Sequence, residues 1–324
     1  MLDLHRLQVL RELRERGTVS AVADALGYTA SAVSQQLARL QREVGVPLHE
    51  RVGRRIRLTP AGEVLAAHAD TLLAQAELAA EETVAASGRV HGHVRIMGYQ
   101  TSILHVIIPS LGPLAERYPE LDIEVVDDES DSGIHALALG EVDLLVFNEY
   151  EMLPMVRPPG LEAETLLYEP VWLAIPAAHP LAATTGPVSL SALAEESWVC
   201  GSPGTRHREL VIRACTELGG FDPRIRYETN DLYVLIDLVI NGRAVAFMAD
   251  LVAARALPGM ALLKVTDFDQ RRRMCVWTRQ GAAQRPTVAA VLAAFREATA
   301  EVVRARPLCE RPPAGGAGGD QMRR

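Results

Sequence analysis

The segment from Thr18 to Arg57 constrains this chain more than any other. Thr18-Val-Ser-Ala-Val-Ala-Asp-Ala-Leu26 leads into Gly27-Tyr28, then into Thr29-Ala-Ser-Ala-Val-Ser-Gln-Gln-Leu-Ala-Arg-Leu40. Val33, Leu37, Leu40 and Val44 recur at i, i+4, i+7 and i+11, which predicts one buried stripe along a helix. Thr29 is placed to cap that helix. At about 100° per residue, Ser31, Ser34, Gln35, Ala38 and Arg42 turn away from the stripe. The shorter helix before it buries Val19, Val22 and Leu26 and keeps Ala23 small for close approach. It ends at Gly27, where a left-handed backbone is expected. Two helices around such a turn read as a helix-turn-helix whose second member lies in a DNA major groove. A plain helical hairpin with a solvated face has the same periodicity, so the flanking sequence decides.

Pro47-Leu-His-Glu-Arg-Val-Gly-Arg-Arg-Ile-Arg-Leu58 follows, with Gly53 at a hairpin tip. Arg55 and Arg57 alternate with Ile56 and Leu58, a period of two that puts arginine on one face. A β-wing bearing Arg51, Arg54, Arg55 and Arg57 suits phosphates or a minor groove. Residues 1–59 hold ten arginines against six acidic residues, while the whole chain carries −8. A basic head on an acidic protein fits a small DNA reader attached to a domain of another kind.

The residues that carry a family resemblance are Ala23, Leu26, the run Thr29–Leu37, Leu40, Gly45-Val-Pro-Leu48, Glu50-Arg51 and Leu58-Thr-Pro-Ala-Gly62. Together they resemble the LysR-type transcriptional regulators, and the resemblance extends to about Arg304. His49 stands where that family usually has Phe, and Gln41 where Glu is common; both lie off the groove-facing side. The resemblance implies a multidomain α+β fold. Its parts are an N-terminal winged helix-turn-helix, a long linker helix and a two-lobed α/β effector domain like periplasmic binding proteins. The candidate DNA contacts are Thr29, Ala30, Ser31, Ser34, Gln35, Arg39, Arg51, Arg54 and Arg55.

The expected boundaries are 1–59 for the head, with the helix-turn-helix near 18–37, then 60–87 for the linker and 88–92 for a hinge. The effector domain takes 93–305 and a disordered tail 306–324, the tail rich in glycine and proline. Thr59-Pro60 opens the linker helix, Pro in its first turn. Leu65, Ala69, Leu72, Ala76, Ala79 and Thr83 follow a 4-3-4-3-4 spacing, a coiled-coil seam on a helix about 40 Å long. Leu65, Leu72, Ala76 and Ala79 are therefore the dimerisation candidates. From residue 93 strands alternate with helices, as in parallel βαβ units. Strands are expected at 94–98, 121–126, 142–147, 170–176, 198–200, 224–228, 244–248 and 274–277, with a closing helix at 288–303. Lobe 1 spans 93–168 and 271–305, and lobe 2 spans 169–270.

A cleft between such lobes is the usual ligand site. Candidate effector contacts lie at strand ends and helix starts: Thr101, Ser102, Phe147, Asn148, Thr205, Arg206, Asn230 and Phe247. Free amides at a helix start favour an anion such as a carboxylate. Thr, Ser and Asn at such positions also serve simply as caps. The run Phe247-Met-Ala-Asp250 lacks a proline often seen there in the family.

No cofactor and no metal are expected, since Cys200, Cys215, Cys275 and Cys309 form no CxxC pair. Cys200 and Cys215 are a conceivable redox pair, because some members of the family sense peroxide through cysteines in this lobe; a core role suits Cys200 better. The sequence has no signal stretch and no membrane-length apolar run, so a cytoplasmic protein with reduced thiols is expected. The expected partners are double-stranded promoter DNA, a second or further copies as a homodimer or homotetramer, a small-molecule co-inducer and RNA polymerase. An enzyme lacks support, as no nucleophile–base pair or phosphate-cradling glycine loop is present. A ligand-free architectural protein is the remaining rival, and the paired lobes argue against it.

Overall fold

The structure, a computed structural model, describes residues 2–53, 55–129, 132–253, 258–266 and 268–312. The chain begins with three helices, α1 (Leu4–Arg16), α2 (Val19–Leu26) and α3 (Ala30–Val44). Thr18 caps α2 and Thr29 caps α3, each hydroxyl accepting an amide three residues on. Gly27 closes α2 at φ 67°, in the left-handed region expected of it. Leu7, Leu10 and Leu13 of α1 pack on Val22 of α2 and on Val33, Leu37 and Leu40 of α3. The predicted stripe stops short of Val44. That residue ends α3 past this core and is exposed.

Strands β1 (His49–Val52) and β2 (Arg55–Leu58) form the expected antiparallel wing, with Val52 opposite Arg55. Gly53 at its tip has φ 64°. The Ile56 amide donates to the Gly17 carbonyl at 2.9 Å, tying the wing to the end of α1.

Helix α4 (Pro60–Ala85) runs 26 residues, about 39 Å, from a Thr59 cap. A Cβ on Gly62 would lie 1.9 Å from the Leu48 carbonyl oxygen, so only glycine allows this close crossing. Ala66 and Ala69 are buried in the head core. The first turns of α4 thus belong to the head, beyond the expected division at Thr59. The predicted seam divides accordingly. Ala69 is consumed by the head and Leu65 packs partly against it, whereas Leu72 and Ala79 are exposed and Ala76 is half-buried.

The remaining described chain forms two lobes. Strand β3 (Gly92–Gly98) leads into α5 (Gln100–Ser102), a π-helical turn (Ile103–Ile107) and α6 (Ile108–Arg117). Then come β4 (Leu121–Asp127), α7 (Ser132–Leu139), β5 (Leu144–Tyr150) and the 16-residue β6 (Leu161–Pro176). The second lobe adds β7 (Ser197–Cys200), α8 (Arg206–Arg213), β8 (Arg224–Glu228), α9 (Leu232–Ile240), β9 (Ala246–Ala249), α10 (Asp250–Ala253) and β10 (Met260–Leu263). Strand β11 (Arg271–Arg279) returns to the first lobe, and α11 (Pro286–Ala305) closes it.

The sheet order β10-β6-β11-β5-β3-β4 shows how the lobes join. The first half of β6 pairs with β11, and its second half pairs with β9 and β10. One strand therefore serves both lobes, where the sequence suggested only its second half. Strands β3, β4 and β5 are parallel neighbours, as the βαβ pattern implied, while β11 runs antiparallel to β5. Each lobe has its own core, one around Ile96, Val146 and Phe295, the other around Leu173, Trp198 and Phe247.

The segment expected to open a tail at 306 is packed instead. Arg306 binds Asp250, Cys309 is buried, and Glu310 pairs with the backbone of Tyr168. Residues 313–324 lie outside the described residues.

Candidate DNA interface and effector cleft

On α3 the residues Thr29, Ala30, Ser31, Ser34, Gln35, Ala38, Arg39 and Arg42 are all exposed, opposite the buried stripe. The structure thus brings the candidates of this helix onto one surface. Thr29 spends its hydroxyl as cap acceptor, leaving its backbone at the helix start. The side chains of Ser31, Ser34, Gln35 and Arg39 have no hydrogen-bond partner among the described residues. Exposed amides and hydroxyls without internal partners can meet base edges without first breaking a bond.

The wing lies in the same domain. Arg51 is exposed, with Nε 3.3 Å from the Gly53 carbonyl. Arg57 is committed to Glu50 at 2.7 Å, which offsets its charge. Arg54 lies outside the described residues, and Arg55 takes its place in β2 through its backbone. Burial holds the imidazole of His49, at the base of β1, below its ordinary range, so it adds no charge here at neutral pH.

Between the lobes lies a tight cleft of about 40 Å³. Its floor is Arg272 at the start of β11, buried and bound to Glu169 through Nε at 2.9 Å and Nη2 at 2.8 Å. Burial alone would lower the guanidinium, but Glu169 and the adjoining tyrosines outweigh it and keep Arg272 charged. Tyr99 lays its ring 5.2 Å from the guanidinium, and its buried hydroxyl has no hydrogen-bond partner among the described residues. Burial pushes Tyr150 up to about 12, so it too presents a hydroxyl rather than a phenolate.

Glu129 also faces the cleft, its carboxyl raised by burial more than Arg272 and Asn148 lower it. His207 is neutral, lowered to about 4 by burial. It accepts the Gly201 amide at Nδ1 (3.1 Å), so Nε2 carries the proton toward the Phe247 carbonyl at 3.0 Å. Gln100 spans the cleft, its side-chain oxygen accepting the Leu232 amide at 2.7 Å from the first turn of α9.

Of the eight candidate effector residues, Thr101, Asn230 and Phe247 line this cleft. The other five are placed elsewhere, each for a visible reason. Ser102 donates to the Tyr99 carbonyl at 2.7 Å inside its own helix turn. Phe147 turns to the far face of the sheet and packs edge-on against Trp277. Asn148 stands behind the cleft and donates to Glu129 at 3.2 Å. Thr205 caps α8. Arg206 is buried against the Leu153 carbonyl and Glu209.

Residues 4–63 match the family described as bacterial regulatory helix-turn-helix protein, lysR family, and residues 87–300 match LysR substrate binding domain. The chain belongs to the LysR family. This LysR-family protein is 28% identical to the transcriptional dual regulator GltC of Bacillus subtilis, over 84% of this chain and 89% of that protein. It is 31% identical to the HTH-type transcriptional regulator ShiR of Corynebacterium glutamicum, over 76% and 82%. A solved full-length OxyR variant of Pseudomonas aeruginosa shares the fold, with TM-score 0.64, 20% identity and coverage of 91% and 95%. The family makes the chain a DNA-binding transcriptional regulator with an effector-binding domain. Its relatives are regulators, not enzymes.

The regulator's other suggestive residues are structural. Cys200 and Cys215 are both core residues, pushed by burial up to about 11 and about 12. Thiols so far from ionising are poor nucleophiles toward an oxidant. Among the described residues no His, Cys, Asp and Glu group could hold a metal ion, and no helix is long and apolar enough to cross a membrane.

The cleft residues that sequence reasoning missed are chiefly Tyr99, Gln100, Glu129, Tyr150 and Arg272. Tyr99 and Gln100 adjoin the Thr101 candidate, so widening the helix-start window would have reached them. Arg272 sits in an Arg271-Arg-Arg273 run and becomes a cleft residue only through the pairing of β11 with β5 and β6.

Proposed function

We propose that this regulator reads promoter DNA with the exposed face of α3, Ser31, Ser34, Gln35 and Arg39 meeting base edges and adjoining phosphates. Arg51 and the wing arginines Arg54 and Arg55 clamp the backbone beside them. The observation that carries this reading is the row of unpaired, exposed polar side chains on α3, opposite a fully packed stripe. Two heads are needed for two half-sites about one helical turn apart. The outward face of α4, with Leu72, Ala76 and Ala79, supplies a seam for pairing two copies, and Leu65 flanks it. A further contact between effector domains would give a tetramer. RNA polymerase is the remaining partner on promoter DNA, and the cytoplasm the compartment where all of these meet.

The effector we infer is a small carboxylate. The helix start at Gln100–Ser102 offers backbone amides, Arg272 and the Tyr99 hydroxyl add donors, and Phe247 supplies an apolar wall. Thr101 and Asn230 sit on opposite lobes, so a ligand touching both would favour lobe closure. Footprinting upstream of the regulator's own gene, with and without small carboxylic acids, tests both halves. A protected region that changes extent with one acid is expected, together with a raised melting temperature of the protein. Protection no better than on scrambled duplex would refute the DNA half, and no thermal shift with any acid the carboxylate half.

A further inference from the structure

The effector cleft and the DNA-reading head are joined by one stiff pair of strands. Tyr150, at the cleft end of β5, lies opposite Arg272, at the cleft end of β11. At the other end Leu144 lies opposite Thr278, next to Asp143 and Arg279. Six residue steps separate the two ends, roughly 20 Å of strand. Every residue of β5 is buried, and β11 lies between β5 and β6, so the pair has no free edge along which to yield.

The far end meets a half-buried ion cluster. Arg285, the residue before α11, binds Asp143 at 3.0 Å, Glu77 at 3.2 Å and Glu81 at 2.6 Å. Arg279 of β11 joins through Asp143 at 3.4 Å and donates to the Val142 carbonyl at 2.8 Å. Glu77 and Glu81 sit one turn apart on α4, the helix whose first turns belong to the head core. Glu81 also accepts both the amide and the hydroxyl of Thr287, capping α11 from another domain.

The head touches the same corner a second time. Arg11 of α1 donates to the Leu139 carbonyl at 3.4 Å, and Arg16 binds Glu141 at 2.6 Å. Gly140 in this turn has φ 77°, and a Cβ there would meet the guanidinium groups of Arg279 and Arg11 at 3.3 and 3.9 Å. The turn before β5 is therefore held between a helix of the head and the ion cluster.

We propose that the β5–β11 pair is the lever between cleft and head, latched to α4 by Arg279, Arg285, Asp143, Glu77 and Glu81 and to α1 by Arg11 and Arg16. A shift of Arg272 and Tyr150 at the cleft moves Asp143 and Arg279 with it, because a paired strand translates as a unit. The latch passes that shift to the helix that carries the recognition surface. Lever and latch supply a regulatory route for the site proposed above, and rest on that reading of head and cleft.

The test reads coupling in the full chain without DNA or metabolite. Amide exchange by mass spectrometry is compared between wild type and Glu81→Gln, which removes one latch charge at nearly constant shape. Exchange should rise roughly threefold or more at the cleft, in peptides covering residues 99–107, 148–150 and 271–274, the order of effect a single change in a coupled network produces. Peptides of β7 and β8, remote in lobe 2, should not change. In the reverse direction, Tyr150→Phe should alter exchange in α1 and in residues 77–85, since coupling is reciprocal. Should Glu81→Gln fold poorly, Arg16→Ala at the more exposed contact takes its place. Changes confined to α1, α4, the start of α11 and residues 137–143 would overturn the proposal, as would a uniform rise across both lobes. Because neither arm uses DNA or ligand, a wild type that ignores its promoter would count against the function alone.

Discussion

The head and the cleft handle polar side chains in opposite ways. On α3, Ser31, Ser34, Gln35 and Arg39 stand exposed and unpaired over a compact apolar core. In the cleft, Glu169 and His207 are buried with their hydrogen bonds made inside the protein, and buried Arg272 is held by Glu169 through Nε. A surface that reads a large polar partner need not pay a desolvation cost before the partner arrives. A cleft that discriminates small molecules must hold its donors rigidly in a low dielectric, where each unpaired group is expensive. Substitutions on the head's working face should therefore cost little stability, and those among the buried cleft residues should cost more.

That contrast can be broken or sharpened experimentally. The largest effect is expected from Glu169→Ala, which strands the Arg272 charge in the interior and should cost about 3–5 kcal/mol by urea unfolding. Replacing both partners, as Glu169→Gln with Arg272→Met, should recover much of that loss. Recovery failing while the fold stays intact would mean the pair does more than neutralise itself. In the head the comparable weakness is steric rather than electrostatic. Gly62→Ala forces a methyl onto the Leu48 carbonyl and should destabilise the head by about 3 kcal/mol, seen as early melting of the head with the effector lobes still folded. Coincident melting of both would show that the lobes depend on the head.

A pH effect comes next. The unfolded chain protonates His207 near pH 6.5, whereas the folded chain resists until about 4. Stability from this group is present above pH 6.5 and falls as pH drops through that window. The melting temperature of wild type should thus decline more than that of His207→Gln between pH 7 and pH 5, and parallel declines would contradict the assignment. The smallest effect belongs to the wing: Glu50→Ala breaks an exposed pair with Arg57 and should change stability by less than about 1 kcal/mol. It frees a cation beside the DNA, so affinity for any duplex should rise slightly and its salt dependence steepen.

The head was legible because its signals are local. Thr18, Thr29 and Gly27 announce helix ends within a few residues, and the stripe Val33, Leu37 and Leu40 fixes the exposed face without knowledge of any distant contact. Even there the reading failed where tertiary packing took over: Ala69, given to a partner helix, is buried in the head core, and Val44 lies outside that core. The cleft was half legible at best. Thr101, Asn230 and Phe247 were reached from strand ends and helix starts, but the same rule also selected the caps and core residues Ser102, Thr205 and Phe147. Arg272 and Glu129 become neighbours only through strand pairing and chain crossing that no short-range pattern encodes. The dual use of β6 was hidden for the same reason, since only its second half read as strand.

The central claim is that α3 reads bases while the surrounding arginines hold phosphates. Binding of wild type, Gln35→Ala and Arg51→Ala to promoter and scrambled duplexes, titrated across salt concentrations, tests it most directly. The account expects Gln35→Ala to lose about 1–3 kcal/mol on the promoter alone. Arg51→Ala should weaken both duplexes alike and lower the salt slope by about one. Equal losses on both duplexes for Gln35→Ala, with an unchanged salt slope for Arg51→Ala, would contradict it.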